Sequence, residues 1–178
     1  MLYGFLIHTV APAEPSRVLH RRLFCGGTEG EPVRRQMAAV ASQVASQCLL
    51  RRQLCTRPAA DTEEPLTLHE EDIGVLGLPP GALFPQGALV LWVGVHTLGF
   101  SLICDPQENL PLAETTLRTL VTHLLQTLRL PAHSSNAVLR ADKVELTLDT
   151  FIPQGALLFL SHPAVQALEG ELSGCMTL

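Results

Sequence analysis

The stretch Ala-Leu-Val-Leu-Trp-Val-Gly-Val-His-Thr-Leu-Gly-Phe-Ser-Leu-Ile-Cys, residues 88–104, decides the fold of this chain of 178 residues. It closes an uncharged run, Ile73–Cys104, that contains no Asp, Glu, Lys or Arg. The stretch is at the lower length limit for a membrane-spanning helix, and it contains a His-Thr pair and two glycines. Because its Val, Trp, Phe and Ile are strand formers, we predict two buried strands, Leu89–Val95 and Leu98–Cys104, that turn near His96.

The N-terminal segment Met1–Val10 is also apolar, and we predict a buried first strand there. It has no basic flank and no small-residue cleavage site after a long apolar run, so it is a poor secretory signal. A proline-marked turn at Ala11–Pro15 leads to Arg17–Cys25, which we predict as the second strand. These two strands are expected to pair as a hairpin.

The composition excludes two broad classes of protein. The mean hydropathy is +0.26, and 47% of the residues are hydrophobic while 16% are charged, which is too apolar for a disordered chain. A single lysine, Lys143, and a net charge of −5 argue against a nucleic-acid binder, which needs a basic surface. The five cysteines include no Cys-x-x-Cys pair, so we expect reduced cytosolic thiols rather than disulfides or a zinc site.

Two helices are predicted from apolar residues at helical spacing. The first begins at Pro32, because proline costs nothing at the first helical position, and it ends near Leu54. The second follows the turn Asp105–Asn109, with Pro111 near its start, and ends before Pro131. Its predicted inward stripe consists of Ala113, Leu117, Leu120, Val121, Leu124 and Leu128.

Two further helices are predicted near the C-terminus. One extends from about Ser134 to Phe151, with Ser135 or Asn136 as its cap, and is stopped by Pro153–Gly155. The other is a terminal helix at Pro163–Leu172.

Between the first helix and the central strands, residues 55–87 are predicted as a mobile, Pro/Gly-containing loop region. Leu66–Leu68 alternates in polarity and is a candidate for a short edge strand, while Gly77–Gly87 is expected to be a connection. The element order is then β-β-α-β-β-β-α-α, which indicates an α+β fold rather than alternating β-α units. We expect residues 1–178 to form one domain.

Two places in the sequence are candidates for chemistry. Cys104 and Asp105 stand at the end of a predicted strand, where a thiolate could act, but a thiol that ends a buried strand is far more often packing. The glycine-rich residues 26–30 resemble a phosphate-binding loop only loosely, because the Gly-Lys-Ser/Thr ending is missing. We therefore predict no catalytic residue and no cofactor.

Other polar groups are candidates for binding. His69–Asp72 combines a histidine with three carboxylates, but adjacent loop residues rarely converge on a metal, so we predict a solvated acidic turn. His123, on the second helix, is predicted to be a partly buried hydrogen-bonding side chain rather than a partner contact. Three arginine pairs could meet an acidic partner or anionic lipid, although solvated faces are expected. They are Arg21-Arg22, Arg34-Arg35 and Arg51-Arg52.

Several short strings, taken in order along the chain, carry a family resemblance. They are Phe5–Thr9, Leu91–Val95, Leu98–Phe100, Glu108–Leu110, Leu112–Glu114, Leu139–Asp142, Pro153–Gly155 and Leu157–Leu160. Together they resemble the small, sigma-type chains of heterotetrameric adaptor-protein complexes, a longin-domain family, and in particular the sigma chains of the fifth such complex. The resemblance covers Met1 to about Leu172, with Gly26–Glu31 and Cys55–Gly87 poorly matched.

The resemblance implies a longin-like five-stranded antiparallel sheet with helices packed on both faces. It also implies a non-enzymatic subunit that sorts membrane cargo at late endosomes and lysosomes from the cytosolic side. Its implied partners are the large zeta and beta chains and the medium mu chain, with spatacsin and spastizin as associated proteins. Membrane association would be peripheral, through the complex.

No partner-binding residue is assigned from the sequence, and the dileucine pocket of clathrin-adaptor sigma chains is not matched residue by residue. The apolar excess predicts a face that docks into a larger assembly, because large exposed apolar patches mark interfaces. A second function stays open in the same fold class, namely a longin module that serves a small GTPase as an exchange or tethering platform.

Overall fold

The structure, a computed structural model, describes residues 1–25, 30–55, 72–128 and 140–176. Within these ranges the chain forms five strands, four α-helices and one short 3-10 turn. In chain order they are β1 (Leu2–Thr9), β2 (Val18–Leu23), α1 (Glu31–Leu54), β3 (Ile73–Leu78), β4 (Ala88–Val95), β5 (Leu98–Cys104), α2 (Leu110–Leu128), α3 (Ala141–Phe151), the 3-10 turn (Pro153–Gly155) and α4 (His162–Met176).

The five strands form one antiparallel sheet in the order β2-β1-β5-β4-β3. The predicted pair of central strands is confirmed, with β4 and β5 joined by a two-residue turn at His96 and Thr97. His96 has φ of 51°, a left-handed backbone that a tight hairpin turn requires. Among the described residues, no helix is both long enough and apolar enough to cross a membrane.

The third strand differs from the prediction. β3 is Ile73–Leu78, which the sequence assigned to loop, whereas the predicted edge strand Leu66–Leu68 lies outside the described residues. β3 pairs with β4 from Ile73↔Val93 to Leu78↔Ala88. Two glycines give this segment weak intrinsic strand preference, so its conformation depends on the neighbouring strand β4, which the local sequence does not report.

Helices cover both faces of the sheet, as the fold class predicted. Alternate residues of each strand point to opposite faces, so the sheet supports two separate apolar clusters. α1 covers one face and buries Met37, Val40 and Val44 against Trp92. α2, α3 and α4 cover the other face, where the buried residues include Phe100, Leu117, Leu120, Leu124, Leu148, Phe151 and Leu172.

The helix boundaries largely follow the sequence signals. α1 begins at Glu31 with Pro32 in its first turn, and α2 begins at Leu110, where the Asn109 side chain accepts a 3.1 Å hydrogen bond from the Leu112 backbone N–H. α3 begins later than predicted, with Arg140 in the N-cap position, and the predicted caps Ser135 and Asn136 lie outside the described residues. α4 adds a third helix after the sheet, at the predicted terminal position.

The contact between α1 and the sheet depends on Gly94. A methyl group at this position would lie 2.4 Å from the Cys48 Sγ atom, so Gly94→Ala is expected to cost about 2 kcal/mol through overpacking. In the double variant with Cys48→Ala the new methyl group occupies the space of the lost sulfur. We therefore expect the double variant to cost less than the two single costs combined, by about 1 kcal/mol, in urea denaturation.

Gly77→Ala is the matched control, because nothing lies within 4 Å of a methyl group placed there. It is expected to change the free energy of unfolding by less than about 0.5 kcal/mol. Strict additivity of the Gly94 and Cys48 variants would show that α1 does not pack on β4 in this way.

Candidate docking surface

The candidate nucleophile Cys104 is a packing residue. Its thiol is fully buried at the end of β5 and donates a 3.7 Å hydrogen bond to the Leu102 carbonyl oxygen. Burial raises the pKa of the Cys104 thiol to about 12. Since a nucleophilic cysteine needs a thiolate at neutral pH, this position is unsuited to nucleophilic catalysis.

Alkylation of the native chain tests this assignment. At pH 8 the thiolate fraction of Cys104 is expected to be about a thousandfold below that of an unperturbed thiol. Mass spectrometry after iodoacetamide treatment is therefore expected to find Cys25 and Cys55, which are partly exposed, labelled while Cys104 is labelled only after unfolding. Equal labelling rates for Cys104 and Cys55 in the native chain would contradict its burial.

Asp105, the second half of the candidate pair, organises the turn between β5 and α2. Its carboxylate accepts a 2.6 Å hydrogen bond from the Tyr3 hydroxyl and a 2.9 Å bond from the Gln107 backbone N–H. The hydrogen bond from Tyr3 is the main cause that lowers the pKa of Asp105, and the same bond raises the pKa of Tyr3 to about 12. The carboxylate thus connects β1 to the turn that precedes α2.

The loop candidates fall mostly outside the described residues. That applies to residues 26–29 of the glycine-rich stretch and to His69, Glu70 and Glu71 of the acidic turn. Asp72 is described, and its carboxylate accepts a 3.3 Å hydrogen bond from Arg52. Across the ranges that the structure covers, no group of three or more His, Cys, Asp and Glu side chains could hold a metal ion.

His123 is a buried hydrogen-bonding side chain, as predicted. Its Nε2 atom lies 3.2 Å from the Thr127 hydroxyl, and its Nδ1 atom lies 3.7 Å from a Glu169 carboxylate oxygen on α4. Burial lowers the pKa of His123, while the Glu169 carboxylate partly offsets this effect. The imidazole thus links α2 to α4 inside the chain.

The arginine pairs do not form a common cationic patch. The prediction of solvated faces is wrong for Arg22, a β2 residue whose side chain reaches α3 and donates a 2.6 Å hydrogen bond to Glu145 and another to Asp149. It is wrong also for Arg52, which binds Asp72 and donates a 2.6 Å hydrogen bond to the His96 carbonyl. These two guanidinium groups connect elements within the chain.

The apolar side chains that remain exposed are distributed over several elements. Leu50 and Leu54 are one turn apart at the end of α1, Val75 lies on β3, and Phe159 lies between the 3-10 turn and α4. Of these, Val75 alone belongs to a strand with an open backbone edge, because β3 is the last strand of the described sheet on its side.

We use the term edge surface for β3 together with the side chains of Trp92 and Arg51, which lie beside it. β3 itself is uncharged, with the sequence Ile-Gly-Val-Leu-Gly-Leu, and its Val75 side chain is 49% exposed. Gly74 lies directly over the buried Trp92 indole, since a methyl group at Gly74 would be 2.4 Å from the ring. The Arg51 guanidinium carbon lies 5.8 Å from the centre of the same ring.

The edge surface was missed by the sequence reasoning. The apolar residues of Ile73–Leu78 are the local signal that could have indicated a strand there, although Gly74 and Gly77 weaken it. The Trp92 Nε1–H is buried and finds no acceptor within the described part of the chain. A buried donor without a partner is uncommon and calls for an explanation.

The fold has a counterpart among solved structures. A chain of a solved structure described as "Homology model of the full-length AP-3 complex in a stretched open conformation" matches with a TM-score of 0.50 and 14% sequence identity, over 99% of this chain and 96% of that chain. The antiparallel sheet with helices on both faces is therefore the fold of that chain, in agreement with the fold class expected from the sequence.

Sequence comparison gives the family. The family model for "AP-5 complex subunit sigma-1" matches residues 1–173. The human AP-5 complex subunit sigma-1 is 41% identical over 197 aligned positions, which cover 97% of this chain and 98% of the relative. The mouse AP-5 complex subunit sigma-1 is 39% identical over 163 positions, covering 77% of this chain and 95% of the relative. The chain belongs to the AP-5 complex subunit sigma-1 family, which is a family of adaptor-complex subunits and not of enzymes.

Proposed function

We propose that this chain is the small subunit of an AP-5-type adaptor complex that sorts membrane cargo on the cytosolic face of late endosomes and lysosomes. The observation that carries the proposal is the family match over residues 1–173, together with 41% identity to the human relative over nearly the full length of both chains. An adaptor small chain acts by binding other subunits, so its function depends on a stable fold and on docking surfaces.

The proposed partners are the large zeta and beta chains and the medium mu chain, with spatacsin and spastizin as associated proteins. Membrane association would come through the complex. A structural role is supported by the polar side chains that form hydrogen bonds between neighbouring elements of the chain. These side chains are Asp105, Arg22 and Arg52. Exposed Leu50, Leu54 and Phe159 provide apolar surface that a partner could bury.

Affinity purification of the tagged full chain from cultured mammalian cells tests the partners. The zeta, beta and mu chains are expected to co-purify in similar amounts, with spatacsin and spastizin in smaller amounts. Gly170→Ala, on the exposed side of α4, is the matched control and is expected to retain all of them. Recovery of a small GTPase, with stimulated nucleotide exchange and without the three subunits, would contradict the proposal.

The location is tested by imaging the fluorescent chain beside a lysosomal membrane marker. We expect overlap that is lost when the zeta chain is depleted, because the chain would reach the membrane through the complex. Membrane staining that persists without zeta would contradict this mode of recruitment.

A further inference from the structure

We propose that β3 is a docking edge for an extended segment of a partner polypeptide, which adds to the sheet as a sixth strand and places a carboxylate beside Gly74. The inference goes beyond the proposed function, because it concerns the chemistry of one surface of the chain and does not depend on which complex recruits it.

The first observation is that, among the described residues, no strand pairs with the outer side of β3. Each edge strand of a sheet presents unpaired N–H and C=O groups, and proteins usually protect such edges with charged side chains, proline or a bulge. Ile73–Leu78 has none of these devices, and its pairing with β4 is regular along its whole length. Edges of this kind are used for recognition by strand addition, in which main-chain hydrogen bonds provide affinity.

The second observation is that the Trp92 indole N–H has no acceptor within the ranges that the structure describes. Trp92 is 1% exposed, and its Nε1 atom would lie 2.9 Å from a methyl group at Gly74, so the donor lies beneath the Gly74 backbone. The indole ring occupies the position that a Gly74 side chain would take on the α1 face, so the glycine allows the ring to extend across the edge strand. In an added strand, the residue opposite Gly74 would be about 5 Å away, which is within reach of a side-chain oxygen that accepts from the indole.

The third observation is the local charge. Arg51 is exposed and lies over the Trp92 ring, while β3 carries no charge of its own. The Arg51 guanidinium therefore lies close to a partner residue opposite Gly74, while the carboxylate of Asp72, before β3, is paired with Arg52. A carboxylate on the partner satisfies both groups, because it pairs with the Arg51 guanidinium and accepts a hydrogen bond from the Trp92 indole N–H. On the opposite face, half-exposed Val75 favours apolar residues at the adjacent positions of the added strand.

Intrinsic fluorescence provides the test, because Trp92 is the chain's one tryptophan. The probe is a short capped peptide of alternating threonine and valine with a central glutamate, titrated into the full chain. We expect a saturable change in Trp92 emission. The same peptide with alternate amides N-methylated is expected to bind at least tenfold more weakly, because it cannot complete the backbone ladder. With glutamine in place of glutamate, binding is expected to weaken about threefold at low salt and less at high salt.

Two exposed positions separate the edge from other apolar surface. Val75→Lys is expected to weaken peptide binding at least fivefold, whereas Phe159→Lys, at an 83% exposed side chain, is expected to leave it unchanged. No saturable signal, or equal binding of the N-methylated peptide, would overturn the proposal, and neither result needs a variant that folds. Dimerisation that Val75→Lys abolishes would also overturn it, by assigning the edge to a second copy. None of these outcomes bears on co-purification with the AP-5 subunits.

Discussion

Gly155→Ala is expected to lower the free energy of unfolding by about 2–4 kcal/mol. Gly155 is buried in the turn after α3 and has φ of 78°, a left-handed conformation that costs alanine about 1 kcal/mol or more. A methyl group there would also lie 2.5 Å from the Phe24 Cβ atom and 3.1 Å from the Leu2 carbonyl oxygen. Because these contacts come from β1 and from the residue that follows β2, relief would require the turn to move away from the sheet, at about 1–3 kcal/mol.

Urea denaturation at neutral pH measures this cost as a lower midpoint with an unchanged slope. Gly170→Ala is again the matched control, since nothing lies within 4 Å of a methyl group at that position inside α4. It is expected to stabilise the chain by about 0.5–1 kcal/mol through helix propensity. A loss below about 1 kcal/mol for Gly155→Ala would show that the turn does not pack against β1 as described.

Acidification is expected to destabilise the chain by about 3 kcal/mol through His8 alone. His8 is fully buried in β1, where its Nδ1–H donates to the Thr9 carbonyl and its Nε2 accepts from the Ser101 hydroxyl, both at 3.2 Å. Burial lowers the pKa of His8 from 6.5 to about 4, partly offset by the hydrogen bond to Thr9. Between these two pH values the unfolded chain binds a proton that the folded chain does not, so stability is complete above pH 6.5 and falls towards pH 4.

The measurement compares the free energy of unfolding at pH 7 and pH 5, where about 2 kcal/mol of this loss is expected. Burial also lowers the pKa of His20 and His123, so these residues likewise make the free energy of unfolding fall as the pH is lowered. His8→Gln retains hydrogen-bonding groups without the titration, and its pH dependence is expected to be shallower by that amount. Identical slopes for the two proteins would mean that His8 titrates normally in the fold.

The central part of the fold could be predicted because its signals are local. The strands β4 and β5 consist of strand-forming residues on both sides of a two-residue turn, and the amphipathic stripe of α2 is continuous. β3 could not be predicted in the same way. Gly74 and Gly77 weaken its strand signal, and Pro79-Pro80 follows it, so the pairing with β4 determines its conformation.

The edge surface was less predictable, since each of its features depends on contacts between residues that are distant in the sequence. The sequence suggested an apolar docking face from composition, but it could not place Arg51 over Trp92 or Gly74 above the indole. The ion pairs that Arg22 and Arg52 form within the chain could not be predicted for the same reason. Their partners lie elsewhere along the chain, at Glu145 and at Asp72, and charge pairs are not encoded by local periodicity.

The pairing of β1 with β5 has a consequence during synthesis of the chain. β1 lies between β2 and β5, and its first residues meet the last residues of β5, so that Leu2 is opposite Cys104. A ribosome adds about 5–20 residues per second, so the apolar first strand waits roughly 5–20 s before its second neighbour emerges. During this interval one side of the nascent β1–β2 hairpin is open to chaperones or to other chains. The N-terminal hairpin therefore lacks its second neighbour in the sheet until more than half of the chain has been made.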